Sequence, residues 1–157
     1  MDCLTSPLLT DLYQLTMMET YLKEGMDQEA VFEFYIRQLP PKRGFLVAAG
    51  LDSILSYLEN LSFSEEEINH LAHTGRFTHG LLDYLARLRF TGDLYALPEG
   101  TIFFPNEPLV RVVAPISQAQ LAETRTINLL ISKRSLPARR PGVPWPQMGM
   151  HFLSILV

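Results

Sequence analysis

Few side chains in this sequence have the types and spacing that catalysis or ligand binding requires. His70 and His73 stand three residues apart, a spacing that two metal ligands on one helix can have. No third ligand is evident and their helix is strongly polar, so we expect no metal site. Cys3 is the single cysteine, and without a neighbouring base it is a poor nucleophile candidate. The sequence contains no P-loop, GxSxG or CxxC motif.

Basic residues follow the strand predicted in the N-terminal third of the chain. They are Arg37, Lys42 and Arg43. Charges at a strand end and in the next turn can face a phosphate, and they can equally be solvated. Arg37 is the preferred phosphate contact because it shares a strand face with Glu33 and Tyr35.

Hydrophobic spacing predicts the elements that must position these side chains. The predicted order is α-β-β-α-α-α-β-β-β-α, which indicates an α+β fold. In the first helix, Thr10 is the predicted cap and Gly25 the stop, and the apolar residues predicted to point inward are Leu12, Leu15, Met18 and Leu22. A capping box formed by Ser64 and Glu67 opens a short helix further along, and Thr78 caps the next.

The stretch "FTGDLYALPEGTIFFPNEPLVRVVAPIS" contains three short strands separated by glycine and proline. We interpret it as a small meander, with Glu99 and Gly100 in a structural turn and contact with a site as the alternative. Ser117 and Gln120 then form a predicted capping box for the last helix.

Composition limits the possible classes of function. The 157 residues are 47% hydrophobic and 19% charged, which is enough for one domain with a core. Residues 1–130 hold all 17 acidic residues and nine of the 13 basic ones, a net charge of −8 that disfavours a nucleic-acid-binding face. Without a membrane-spanning run, a signal peptide or paired cysteines, we expect a cytoplasmic protein with no membrane partner.

Residues 131–157 differ in character from the rest of the chain. They carry a net charge of +4 and the prolines 137, 141, 144 and 146, which interrupt the helix that begins near Ser117. The start signals predict a helix, but the prolines that follow prevent it from continuing, so the local patterns conflict with one another. We therefore place a boundary after residue 130.

Four segments resemble the nicotinate phosphoribosyltransferase family in order and spacing. They are "LLTDLYQLTM", "FEFYIRQLP" with "GFLVAAGL", "FTGDLYALPEGTIFFPNEPLVRV" and "QAQLAETRTINLL", and they cover about residues 7–130. The resemblance implies the N-terminal α/β domain of a type II phosphoribosyltransferase, without the irregular α/β barrel that follows it in the family. Family members are two to three times longer than this chain.

The resemblance also implies an activity for the parent enzyme. Nicotinate and phosphoribosyl pyrophosphate would give nicotinate mononucleotide and pyrophosphate, coupled to ATP hydrolysis through a phosphorylated histidine, with Mg²⁺ and a homodimer. None of the four histidines, including His79 and His151, lies in the context of that histidine. We therefore expect the catalytic residues in the barrel, and neither activity nor tight cofactor binding from this fragment.

Tyr13 in "TDLYQ" matches the family tyrosine that packs on the nicotinate ring, reaching the site of the partner subunit. Its periodicity alone favours a different interpretation, an aromatic side chain that packs on a neighbouring element. With the motif intact around it, Tyr13 is the predicted substrate-binding residue.

The tail has a candidate explanation at the level of the gene. The family continues the last helix with a segment like "NFQTLIATKAAR", where this chain has "ISKRSLPARR". Adding one base in front of a compatible coding sequence for the observed segment yields "NFQTLIARKA". We therefore predict that residues 131–157 are out-of-frame translation, with a genuine divergent tail as the alternative. The alternative functions are a non-catalytic interaction or dimerisation module and, less favoured by charge, a nucleic-acid-binding protein.

Overall fold

The computed structural model describes residues 6–39 and 44–132, and these form helices and strands in the order that the sequence predicts. The helices are α1 (Leu12–Lys23), α2 (Leu51–Glu59), α3 (Glu65–His73), α4 (His79–Arg87) and α5 (Ile116–Ser132). The strands are β1 (Glu29–Tyr35), β2 (Leu46–Val47), β3 (Asp93–Ala96), β4 (Ile102–Phe103) and β5 (Pro108–Pro115). None of the helices in this part of the chain has the length and hydropathy to cross a membrane.

Strand β5 organises the main sheet, in which the order is β1-β5-β3 and all pairs are antiparallel. Strand β4 pairs instead with β2 in a separate two-stranded ribbon. The predicted meander of β3, β4 and β5 is therefore wrong. Both edges of β5 are already hydrogen-bonded, by β1 and β3, so β4 cannot join it and finds its partner in β2.

The core lies between one face of the sheet and the helices. Alternate residues of β1 and β5 supply its sheet side, because successive side chains of a strand point to opposite faces; they include Ala30, Phe34, Val110, Val112 and Ala114. The buried residues of α1 are Gln14, Leu15 and Met18. The prediction that Leu12 points inward is wrong, since this first residue of the helix is 49% exposed.

Helix starts follow the predicted signals unevenly. The Ser64–Glu67 capping box is present, and Thr78 is the N-cap residue of α4 although its side chain makes no capping bond. Asp11, rather than Thr10, is the N-cap of α1. Ser117 lies inside α5, because that helix begins at Ile116 directly after β5 and leaves no position for the predicted cap.

Glu99 and Gly100 form the structural turn that the sequence predicts. Gly100 has a φ of +82°, a conformation that favours glycine. The Glu99 carboxylate accepts hydrogen bonds from the backbone N–H groups of Gly50 and Leu51, both at 2.7 Å. This acidic side chain therefore caps the N-terminus of α2 from a distant loop.

Candidate functional site

Tyr13 lies in the first turn of α1 with 46% of its surface exposed. Its hydroxyl group donates a hydrogen bond of 3.3 Å to Oε2 of Glu123 on α5. The hydroxyl end of the side chain is therefore tethered while part of the ring remains accessible.

Glu123 connects α1 to α5 through the same oxygen. Oε2 also accepts from the side-chain amides of Gln14, at 3.4 Å, and Gln120, at 2.8 Å. Next to this group, the hydroxyl of Thr124 donates to Oδ2 of Asp11 at 2.9 Å. Gln14 is fully buried, so its amide depends on such partners.

Partial burial is the main reason why the pKa of the Tyr13 hydroxyl is raised above its ordinary value, and the negative charge of Glu123 raises it further. The neighbouring hydroxyl of Thr124 opposes these effects. The phenol therefore stays neutral and remains a donor at physiological pH. A neutral, partly exposed aromatic ring can stack on a planar, electron-poor ligand ring.

Arg37 is exposed and lies two residues beyond the end of β1. Glu33, which shares its predicted face, is paired with Arg111 of β5, whose Nε donates to the carboxylate at 2.7 Å. Within the described ranges, no hydrogen bond or ion pair joins Arg37 to Tyr13, so these two predicted residues are not shown to form one site. Lys42 and Arg43 lie outside the described residues.

The histidines form no metal centre in the described part of the chain. His70 and His73 both lie on α3, and the His73 ring nitrogen Nδ1 is 2.6 Å from the carbonyl oxygen of Asn69. Residues 6–39 and 44–132 contain no group of three or more histidine, cysteine, aspartate or glutamate side chains that could hold a metal ion. Cys3 and His151 lie outside these ranges.

Sequence reasoning missed Glu123 and Gln120. Their partners on α1 are about a hundred positions away, so no local motif marks the contact. One available signal was the polar Gln14 beside Leu15 on the buried side of α1. A buried amide requires hydrogen-bonding partners, and polar residues on another helix could supply them.

Comparisons with known proteins match most of this chain to one family. The family model described as the nicotinate phosphoribosyltransferase (NAPRTase) N-terminal domain matches residues 8–131. A nicotinate phosphoribosyltransferase of Mycobacterium tuberculosis is 48% identical over 121 residues, which are 77% of this chain and 26% of that protein. One of Bacillus subtilis is 39% identical over 149 residues, covering 91% of this chain and 30% of the relative.

A solved structure supports the fold. The crystal structure of human nicotinic acid phosphoribosyltransferase superposes with a TM-score of 0.70 at 32% identity, over 78% of this chain and 25% of the human chain. The chain thus spans 25–30% of the length of these three relatives.

Proposed function

The chain belongs to the nicotinate phosphoribosyltransferase N-terminal domain family, and from this premise we propose that it is the N-terminal part of an enzyme that makes nicotinate mononucleotide. In that reaction the pyridine nitrogen of nicotinate forms a bond to C1′ of phosphoribosyl pyrophosphate. The bond from C1′ to the pyrophosphate oxygen breaks, and pyrophosphate leaves. The parent would supply a precursor of NAD in the cytoplasm.

The observation that carries this proposal is the partly exposed, tethered ring of Tyr13. Stacking of this ring on the pyridine would orient nicotinate for attack without chemistry by the tyrosine itself. In the parent, ATP hydrolysis would drive the reaction and Mg²⁺ would neutralise the phosphates. We assign no catalytic step to residues of this chain, and we expect the purified chain to form no nicotinate mononucleotide.

Arg37 is proposed as a contact to a phosphate of the second substrate. Its support is its exposed position at the end of β1, where a guanidinium group can reach an anion. In the parent we also propose a homodimer, in which Tyr13 of one subunit reaches the site of the other.

A gene-level experiment tests whether a parent exists. The coding DNA would be sequenced again from about codon 120 to well beyond codon 157. A single-base restoration after Leu130 that opens a frame of several hundred codons supports the proposal. A frame that is confirmed as written and closes after Val157 contradicts it.

The enzyme encoded by the gene with the missing base restored, here called the restored enzyme, then tests whether Tyr13 contacts nicotinate. Tyr13→Ala should raise the KM for nicotinate about fivefold, because an aromatic contact contributes ~1 kcal/mol. Tyr95→Ala is the control, since Tyr95 is also exposed but lies on β3. An unchanged KM in Tyr13→Ala would exclude ring stacking by this residue.

A second candidate function is a non-catalytic dimerisation module. It is favoured by the exposed apolar residues Leu9, Leu12 and Met17, which lie with Tyr13 at three- and four-residue spacings on and just before α1. Sedimentation of the 157-residue chain and its Leu12→Glu variant would test it. The module would be favoured if the chain is a dimer that the substitution dissociates and if the gene encodes no reading frame beyond these 157 residues.

A further inference from the structure

We propose that Glu123 is the positioning residue that holds the ring of Tyr13 in place for contact with the ligand. The proposal rests on the proposed function in so far as Tyr13 binds the pyridine ring. Its structural part concerns this chain alone and can be tested without substrate.

The geometry of one carboxylate oxygen leads to this inference. Oε2 of Glu123 accepts from Tyr13, Gln14 and Gln120 at 3.3, 3.4 and 2.8 Å. Two of these donors are neighbours on α1 and the third lies one turn earlier on α5. A single ionised group therefore fixes the hydroxyl of Tyr13 relative to both helices, and charge strengthens each bond.

Apolar packing alone would hold this ring weakly. Tyr13 is 46% exposed, so nearly half of its surface lacks contacts that could restrict rotation about its side-chain bonds. Its hydroxyl lies instead among polar groups that are themselves anchored. Gln14 is fully buried and also accepts a hydrogen bond from the hydroxyl of Thr10, while Gln120 is nearly buried and bonds to Tyr21.

The charge of Glu123 is the property that a neutral acceptor would not reproduce. A glutamine at this position has one acceptor oxygen and an amide that can only donate. It would keep the shape of the side chain but weaken the bonds from Tyr13 and Gln14. Binding of a flat ligand benefits when the aromatic partner is already ordered, because less side-chain freedom is lost on binding.

The test uses the 157-residue chain with ¹³C-labelled tyrosine, Tyr13→Phe being used to assign the Tyr13 signal. In Glu123→Gln we expect the alkaline titration midpoint of Tyr13 to fall and its ring cross-peak to Thr124 to be lost. Tyr21 also senses the charge of Glu123, so its midpoint should fall as well. Glu33→Gln is the control: it removes an acid that pairs with Arg111 and should leave Tyr13 unchanged.

Circular dichroism would establish that each variant remains folded, and the isosteric Glu123→Gln keeps the test valid if Glu123→Ala unfolds. A cross-peak to Thr124 that persists in folded Glu123→Gln would overturn the proposal even if the titration midpoint falls, because loss of the negative charge alone lowers that midpoint. If Tyr13 loses its order as expected but Tyr13→Ala of the restored enzyme binds nicotinate normally, only the proposed role of Tyr13 fails. These two results separate the positioning role from the function.

Discussion

At the scale of single residues, Tyr57 on α2 is a buried phenol whose hydroxyl has no hydrogen-bond partner among the described residues. We expect Tyr57→Phe to stabilise the fold by about 1 kcal/mol, because it removes an unsatisfied polar group and keeps the ring. Tyr84→Phe is the matched control, since the Tyr84 hydroxyl lies 2.7 Å from Oγ of Ser117 and its loss should destabilise. Urea unfolding would measure both effects.

The same residue should affect unfolding at alkaline pH. Burial raises the pKa of Tyr57 far above the ordinary value of 10.0, and the nearby charge of Arg125 only partly opposes this. Because the pKa is raised in the folded state, the folded protein holds the phenolic proton of Tyr57 more tightly than the unfolded chain does. The free energy of unfolding is therefore unaffected by this group below pH 10 and falls as the pH rises further. Tyr57→Phe should therefore reduce the loss of stability above pH 10, and an unchanged pH dependence would contradict this assignment.

At the scale of elements, helix α2 depends on an acceptor from another loop. Glu99 is the side-chain acceptor for the backbone N–H groups of Gly50 and Leu51. Glu99→Ala should destabilise the domain by about 1 kcal/mol, the usual contribution of an N-terminal cap. Glu59→Ala, at the C-terminal end of the same helix, should be neutral or slightly stabilising because an acid there opposes the helix dipole. Thermal unfolding that shows equal effects would refute the capping role.

Strand β3 begins after a glycine that lies against β5. A Cβ atom on Gly92 would be 2.4 Å from Cβ of Ala114 and from the carbonyl oxygen of Val113. Gly92→Ala should therefore destabilise by roughly 1–3 kcal/mol, the usual cost of overpacking. Gly80→Ala on α4 meets no atom within 4 Å and should be neutral or stabilising by up to about 1 kcal/mol. Equal unfolding midpoints for the two variants would be inconsistent with this close approach.

The sequence predicted the order and type of the elements because helical and strand periodicities are local properties. It did not predict that β4 pairs with β2, since a pairing partner depends on which strand edges remain available. The same limit applies to the site. The motif around Tyr13 made that residue the candidate, whereas Glu123 is brought to it only by the packing of α1 on α5.

At the scale of the whole molecule, the described residues form one hydrophobic core. That core joins α1, α5 and the sheet, and includes Met18, Phe34, Val112 and Leu121. The chain nevertheless spans only 26% and 30% of two relatives. If the proposed longer parent exists, we expect its remainder to cover apolar side chains that are exposed here, such as Phe45 and Phe104.

A truncation tests whether the last 25 residues belong to this fold. If residues 131–157 are out-of-frame translation, the part beyond Ser132 was not selected to pack on the domain. A chain that ends at Ser132 should then unfold at the same urea midpoint as the 157-residue chain, with the same slope, because both would expose the same buried surface. If the shortened chain and the 157-residue chain aggregate equally, the apolar surface that causes aggregation lies on the domain and not on the tail. A lower midpoint and a smaller slope in the shortened chain would mean that the tail packs on the domain, which would favour a genuine divergent tail over a shifted reading frame.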